Sequence, residues 1–523
     1  RIIPLINLLI NSQVGFVLLI FVITNVHSAK ILAVFPTPSV SHQVVFRPLA
    51  LELARRGHHI TIITTDPFRQ AKNPNITEID VHDISYALWK KYVVLDLEFG
   101  NKHNIYPQVE VVPKVMMHII CSQLEQDSVQ KLINSKESFD LLILEGWLRQ
   151  NLIYSHIFKA PVILMSSFGA MFARDEVNVG APTHPFLYPM LIQQRLYNMS
   201  FWEKIQELYK RQWFDSFWYA SDAKEVAVFR EKIDKDLPDY EELSKNINML
   251  FINTHPMWIN NQPLPPNVVT LWGIHKHPQK PLPNDLQTYL DSSKNGVIYL
   301  SFGSNALSSI LSPEKIQVFV RVFSRLSYDI LWKWETDELP GKSENIKISK
   351  WLPQSDLLRH PNIKLFITQG GLQSTDEAIT AEVPMIAVPL LGDQWFNAEK
   401  YLYYKIGMKL DMETITEDEL ENAINTVIND TSYRDNIRRF NYLLHDQPQS
   451  ALDRAAWWTE YVIRHGGAKH LRSIAANLPW TEYYEIYFVL KLTSLLLSII
   501  FGVLVVVYLV WRRLFTKEKL KSA

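Results

Sequence analysis

Hydrophobic positions along the chain fall into two patterns. The first is a short unbroken apolar run, rich in β-branched residues, followed by a turn and then by a segment with apolar residues at every third or fourth position. Ile31 to Phe35 opens this pattern, Pro36 to Ser41 is a loop, His42 to Arg56 reads as a helix stopped by Gly57, and Ile60 to Thr64 reads as the next strand. Pro48 lies inside the helical stretch and predicts either a kink or a helix that starts only around Arg47. Phe139 to Glu145 is another apolar strand, ending in an acid, and Asn295 to Phe302 is one that enters Gly303-Ser304. The unit then recurs: strand from Asn362 to Thr368, turn at Gln369-Gly370-Gly371, one helix from Leu372 to Glu382, strand from Pro384 to Leu390. Strands apolar on both faces and alternating with helices indicate α/β architecture with parallel sheets.

The second pattern is long and almost wholly apolar. Leu492 to Trp511 could span a bilayer at about 1.5 Å of rise per residue. Trp480, Tyr483, Tyr484 and Tyr487 precede it as an aromatic belt, and Arg512, Arg513, Lys517, Lys519 and Lys521 follow it. Positive charge on that side predicts a cytosolic tail and a body across the membrane from it. Val14 to Val26, behind Arg1 and ahead of Ser28-Ala29, has the form of a secretory signal peptide cleaved near Ala29, or of an anchor that stays attached. The chain does not open on methionine, so its start is expected to be incomplete. Glycosylation sequons at Asn75, Asn198 and Asn429 agree with a lumenal body.

Between these landmarks, Pro263 to Pro283 is proline-rich with little strand or helix pattern and reads as a domain linker. The expected organisation is residues 1–29 signal peptide, 30–275 first domain, 284–450 second domain, 451–490 helices returning to the first domain, 492–511 membrane helix and 512–523 basic tail.

Charge and composition remove several function classes. Lys+Arg 53 against Asp+Glu 54 leaves a net charge of -1, so no overall field attracts nucleic acid. The one cysteine, Cys121, excludes an intrachain disulfide framework and cysteine-rich metal sites, and reads as a buried thiol. Sixteen histidines include no HExxH pair, and His58-His59 opens a strand where neighbours face opposite ways, so no metal is expected. No G-x-G-x-x-G follows a strand, which sets aside a nicotinamide oxidoreductase.

The candidate chemistry lies from Trp351 to Ala398. Gly370 and Gly371 at a strand-to-helix turn allow close approach of a ligand, and the free N–H groups of the following helix favour an anion such as a pyrophosphate. Trp351 offers a flat face for a base, Gln354 an amide for a base edge, Glu377 acceptors for a ribose diol, and Asp393-Gln394 groups for sugar hydroxyls. In the first domain, His42 falls where a loop meets a helix; a helix N-terminus disfavours imidazolium and keeps the ring able to take a proton. A histidine that merely caps the helix fits the same position. Glu145 ends its strand at the carboxyl edge, where open α/β sheets place their sites and where a carboxylate could orient such a histidine.

The stretch from Trp351 through Asp393-Gln394 resembles the defining motif of the UDP-glycosyltransferases of animals and plants, and the resemblance, strongest to insect members, extends over nearly the whole chain. It implies two facing Rossmann-like domains of the two-domain GT-B glycosyltransferase type, with the acceptor bound by residues 30–262 and the donor by 284–450, plus a C-terminal transmembrane helix. It implies that Trp351 stacks on uracil, Gln354 reads the ring, Glu377 holds the ribose, Asp393 and Gln394 bind the donor sugar, and Gly303-Ser304 reaches the phosphates. The family usually has His-x-Gly at Gln369-Gly370-Gly371 and Asn near Gln373; Gln369 can still donate to a phosphate oxygen, and Ser374 keeps a hydroxyl at the helix start. His42 corresponds to the family's general base and Glu145 to its usual Asp, longer here by one methylene.

The activity implied is inverting transfer of a hexose, glucose by resemblance, from a UDP-sugar to a hydroxyl of a small lipophilic acceptor, with the UDP-sugar as co-substrate and no cofactor. The rival reading is a membrane-anchored binding protein of the same fold without catalysis, favoured by Glu145 and Gln369 and opposed by retention of His42, Glu377, Asp393 and Gln394. The partners expected are donor, acceptor and membrane, in the endoplasmic reticulum, with Lys519 and Lys521 resembling a dilysine retrieval signal; a homo-oligomer is left open.

Overall fold

The computed structural model describes residues 28–521 apart from 69–72, 95–97, 102, 104, 171–172 and 306, and omits the side chains of 516–521. The signal-peptide reading therefore lies outside the described residues, as do the side chains of Lys519 and Lys521.

The first sheet has seven parallel strands: β1 (Lys30–Phe35), β2 (His59–Thr64), β3 (Ile76–Asp80), β4 (Leu141–Glu145), β5 (Val162–Ser166), β6 (Ile247–Ile252) and β7 (Val268–Thr270). Its order is β3-β2-β1-β4-β5-β6-β7, with Ile31 of β1 opposite Ile60 of β2 on one side and Leu141 of β4 on the other. The second sheet has six: β8 (Val297–Ser301), β9 (Asp329–Lys333), β10 (Ile346–Ser349), β11 (Ile363–Thr368), β12 (Met385–Ala387) and β13 (Gly407–Lys409), in the order β10-β9-β8-β11-β12-β13. Strand order thus reverses between β1 and β4 in one sheet and between β8 and β11 in the other. Ligands of open α/β sheets bind beyond the carboxyl ends of strands at such reversals, and these four strands lead into His42, Glu145, Gly303 and Gln369.

Seven helices matter for the site and its setting: α1 (Val40–Arg55), α2 (Ile105–Leu124), α3 (Phe201–Lys232), α4 (Leu372–Thr380), α5 (Gln394–Tyr403), α6 (Ala451–Arg464) and α7 (Ile486–Lys521). Helix α1 begins at Val40, not at Arg47, and runs through Pro48. Pro48 forfeits one backbone hydrogen bond, but Val45, Phe46, Leu49, Ala50, Leu53 and Ala54 on its inner face are buried and hold the helix on the sheet. Helix α3 carries a complete capping box, in which Ser200 accepts from the Glu203 N–H and Glu203 accepts from the Ser200 N–H.

The proline-rich stretch assigned to the linker is more ordered than its composition suggests, because β7 lies inside it and pairs with β6 through Leu250↔Val268. Three residues at a sheet edge, flanked by prolines, carry too short a pattern to register as a strand. Cys121 is half-buried on α2 rather than fully enclosed. At the sequons, Asn198 and Asn429 are exposed, whereas the Asn75 amide donates to the Ala54 carbonyl at 3.0 Å.

Helix α6 packs on α1, with Ala455, Ala456 and Val462 inaccessible to solvent in the same cluster as β1 and α1 residues. Arg56 Nη1 reaches Glu460 Oε2 at 3.2 Å beside this contact. The chain thus returns to the first domain after building the second. Helix α7 contains a span, Ile486–Phe515, whose most apolar 18-residue stretch is not buried in the protein, as a membrane-crossing helix requires.

Candidate active site

A cleft of about 1300 Å³ runs between the two sheets' carboxyl edges and is bordered by His42 on one side and by Ser304, Trp351, Gln369, Glu377 and Asp393 on the other. A second, more apolar pocket of about 830 Å³ is walled mainly by the first domain and shares His42, Phe168, Asn305, Asp393 and Gln394 with the cleft. Of the residues singled out from sequence, Gly303, Ser304, Trp351, Gln354, Gln369, Gly371, Gln373, Ser374, Glu377, Asp393, Gln394 and His42 border the cleft. Glu145 and Gly370 do not, since each lies behind a residue that does.

His42 is the third residue of α1, and its ring is held from behind. Nδ1 is 2.8 Å from Glu145 Oε1, with Glu145 fully buried and His42 13% exposed. A carboxylate accepts, so Nδ1 carries the proton and Nε2 is left with a lone pair. Glu145 is itself fixed: Oε1 accepts from Trp147 Nε1 at 3.0 Å and Oε2 from the Thr37 N–H at 3.2 Å. Phe168 stands edge-on to the imidazole at 5.3 Å between ring centres. Nothing caps α1 through a side chain, because the N-cap residue Ser39 turns its hydroxyl away, to Ser41 and, across the domains, to Asn305 Oδ1 at 3.1 Å.

On the opposite wall, Gly371 is the N-cap of α4 and no side chain occupies that helix start, so its first N–H groups are open to an anion. The turn depends on glycine twice. Gly303 has φ +80, and a Cβ there would collide with Gln369 Nε2; Gly370 has φ +88. Gln369 is buried and packs into the space Gly303 leaves. Lys333, at the carboxyl end of β9, also borders the cleft, with Nζ 2.7 Å from the Gly303 carbonyl and 5.9 Å from the Trp351 ring centre. Sequence reasoning passed over it, although a lysine closing an apolar strand at the site edge is a readable signal.

Trp351 is 63% exposed, with its indole available at the mouth of the cleft. Gln354 is tied up within the protein: Oε1 accepts from Tyr299 Oη at 3.0 Å, and Nε2 donates to Ser374 Oγ at 2.9 Å and Glu377 Oε2 at 2.7 Å. Its amide therefore orients Glu377 and leaves the Ser374 proton free to point elsewhere. Burial pushes the Glu377 carboxyl up to about 7, only partly offset by the Gln354 hydrogen bond. Gln373 leaves the anion site altogether and donates to the Ser167 carbonyl of the first domain at 2.7 Å.

Burial likewise raises the Asp393 carboxyl to about 6, opposed by a hydrogen bond from Asn397 Nδ2 at 2.9 Å. Gln394 Oε1 accepts from the Leu390 and Leu391 N–H groups at 2.7 and 2.8 Å, which fixes the side chain and turns its NH₂ away from that loop. Asn397, which no motif indicated, joins Asp393, the Gly370 carbonyl and Trp258 Nε1 of the first domain. Among the described residues no group of three His, Cys, Asp or Glu side chains is disposed to hold a metal ion.

The profile of the family described as UDP-glucoronosyl and UDP-glucosyl transferase matches residues 29–521. An ecdysteroid UDP-glucosyltransferase of Spodoptera littoralis nuclear polyhedrosis virus is 33% identical over 90% of this chain and 95% of its own length. The UDP-glycosyltransferase UGT5 of Dactylopius coccus is 32% identical over 92% of this chain and 91% of its own. In fold, a UDP-glucosyltransferase from Polygonum tinctorium, solved in complex with 3,4-dichloroaniline, superposes with a TM-score of 0.56 at 15% identity, covering 84% of this chain and 99% of its own. Paired parallel sheets with a cleft between them, and likeness over nearly the full length, place the chain in the UDP-glucuronosyl and UDP-glucosyl transferase family, as a GT-B-type UDP-glycosyltransferase.

Proposed function

We propose that the enzyme transfers glucose from UDP-glucose, with inversion, to a hydroxyl of a small lipophilic acceptor, and that His42 is the general base. The observation that carries this reading is the position of His42, which borders both the apolar pocket and the cleft while Glu145 holds its Nδ1. An acceptor hydroxyl at Nε2 gives up its proton there as its oxygen bonds to the anomeric carbon, and the bond from that carbon to the UDP oxygen breaks on the opposite face. Glu145 stabilises the imidazolium that forms. The open N–H groups of α4, the Ser374 hydroxyl and the Lys333 ammonium receive the charge that develops on the leaving diphosphate.

Trp351 and Glu377 hold the nucleoside, and Asp393 and Gln394, which border both spaces, hold the sugar between base and diphosphate. Glucose is favoured because the viral and plant relatives are UDP-glucosyltransferases, and UDP-glucuronic acid is the competing donor. The test is UDP release from each donor with a panel of lipophilic phenols and alcohols. Release from UDP-glucose that requires acceptor supports the reading, and acceptor-independent or absent release refutes it. The membrane helix, exposed sequons and basic tail support a body in the lumen of the endoplasmic reticulum and a cytosolic tail.

A further inference from the structure

The apolar pocket is walled mainly by Trp89, Ile105, Val109, Trp147, Phe168 and Ile192, so most of what it takes up is hydrocarbon. Two polar side chains on its wall break that pattern. Gln108, on α2, is 3% exposed, and its Nε2 has no hydrogen-bond partner; Thr37, beside the His42–Glu145 pair, is 2% exposed, and its Oγ1 has none. Buried polar groups are nearly always satisfied, because leaving one unpaired forfeits its hydration with nothing in return, so such a group on a pocket wall marks a place where a ligand supplies the partner.

The polarity of Gln108 is fixed by its neighbour. Its Oε1 accepts from the Gly392 N–H at 3.2 Å, across the domain boundary, and a backbone N–H can only donate. The amide oxygen must face Gly392, so the group left over is the NH₂, a donor. We infer that the acceptor carries, besides the hydroxyl that is glycosylated, a second oxygen remote from it that accepts a hydrogen bond, and that Gln108 Nε2 is the residue that selects for it. The substrate class is then a lipophilic ketone, ester or ether bearing a separate alcohol or phenol, in preference to a plain hydroxylated hydrocarbon. This rests on the proposal that the pocket binds the acceptor.

The same residue also tethers Gly392, one position ahead of Asp393, so the test must separate recognition from tethering. Gln108→Glu can keep the bond from the Gly392 N–H while replacing the donor with an acceptor, whereas Gln108→Leu loses both. The probes are 4-hydroxyphenyl alkan-2-ones of increasing spacer length, each against the alkylphenol of the same length and against the corresponding secondary alcohol. Methylenes between ring and ketone leave the acidity of the phenol unchanged across each set. Binding in the presence of UDP, followed by quenching of Trp89 and Trp147 fluorescence, is measured alongside turnover.

In the wild type one spacer length should favour the ketone over its alkylphenol on the order of tenfold or more. Gln108→Leu should abolish that preference, and Gln108→Glu should move it to the secondary alcohol, which can donate. Equal binding of ketone and alkylphenol at every length, or a preference that survives Gln108→Leu, overturns the inference. Selective binding without sugar transfer leaves the inference standing and refutes the glucosyl-transfer reading instead.

Discussion

His42 Nδ1 and Glu145 Oε1 are 2.8 Å apart although 103 residues separate them in sequence. The helix that follows β1 and the end of β4 meet there because β1 and β4 are neighbours at the reversal of strand order. His42→Ala should abolish sugar transfer while UDP binding, which depends on the other wall of the cleft, survives. Loss of general-base catalysis is worth about 10²–10⁴-fold. Isothermal titration with UDP and a UDP-release assay on one preparation check both halves. Turnover like that of the wild type would refute His42 as the base.

Glu145→Gln should cost less than His42→Ala but still a large factor, because an amide can accept from Nδ1 yet gives the imidazolium no counter-charge. Glu145→Asp should retain partial activity. Its carboxylate is shorter by one methylene in a backbone where Thr37 N–H and Trp147 Nε1 already converge on Glu145. Steady-state rates of both variants beside His42→Ala check this order.

Trp351→Ala should weaken UDP binding about tenfold or more, base stacking being worth roughly 1–3 kcal/mol. The indole is 63% exposed, so thermal stability should change little. Unchanged UDP affinity would remove uracil stacking from the account.

The raised carboxyls predict a pH dependence of stability. Glu377 moves from 4.5 to about 7 and Asp393 from 3.8 to about 6, both by burial, so the folded state holds protons that the unfolded chain has released. Their stabilising effect is complete below about pH 4 and is lost as pH rises through about 6 to 7. Melting of the ligand-free enzyme should therefore show stability falling across that window, and Glu377→Gln should flatten the upper part of the fall. A slope unchanged by the substitution would refute the assignment to Glu377.

Ending the chain at Glu485 removes α7 and should release the enzyme from the membrane fraction. In sealed microsomes, added protease should remove little beyond the tail of the intact chain; digestion of the whole body would reverse the proposed orientation.

Much of this was legible in the sequence because the donor wall is nearly continuous in it. From Trp351 to Gln394 the residues bordering the cleft are carried by one strand–helix–strand unit, β11, α4 and β12, and the segments joined to it. What the sequence concealed was where amides point. Gln354 serves Glu377 and Gln373 serves the Ser167 carbonyl, and both partners are fixed only by the tertiary structure. Asn397 and Gln108 were likewise invisible as site residues, since their partners Trp258 and Gly392 lie 139 and 284 residues away in sequence. Helix α1 defied its own proline because burial on the sheet outweighs one missing hydrogen bond.

The return of α6 to α1 governs the order in which the molecule can be completed during synthesis. Domains generally fold as they emerge, amino-terminal first. Here the layer over the helix that carries His42 is encoded in Ala451–Arg464, after the whole second sheet. The first domain to leave the ribosome is therefore the last to be finished. Until α6 arrives, the apolar residues of α1 that pack on it wait partly uncovered, making the nascent first domain a natural client for chaperones and a poor candidate for expression alone.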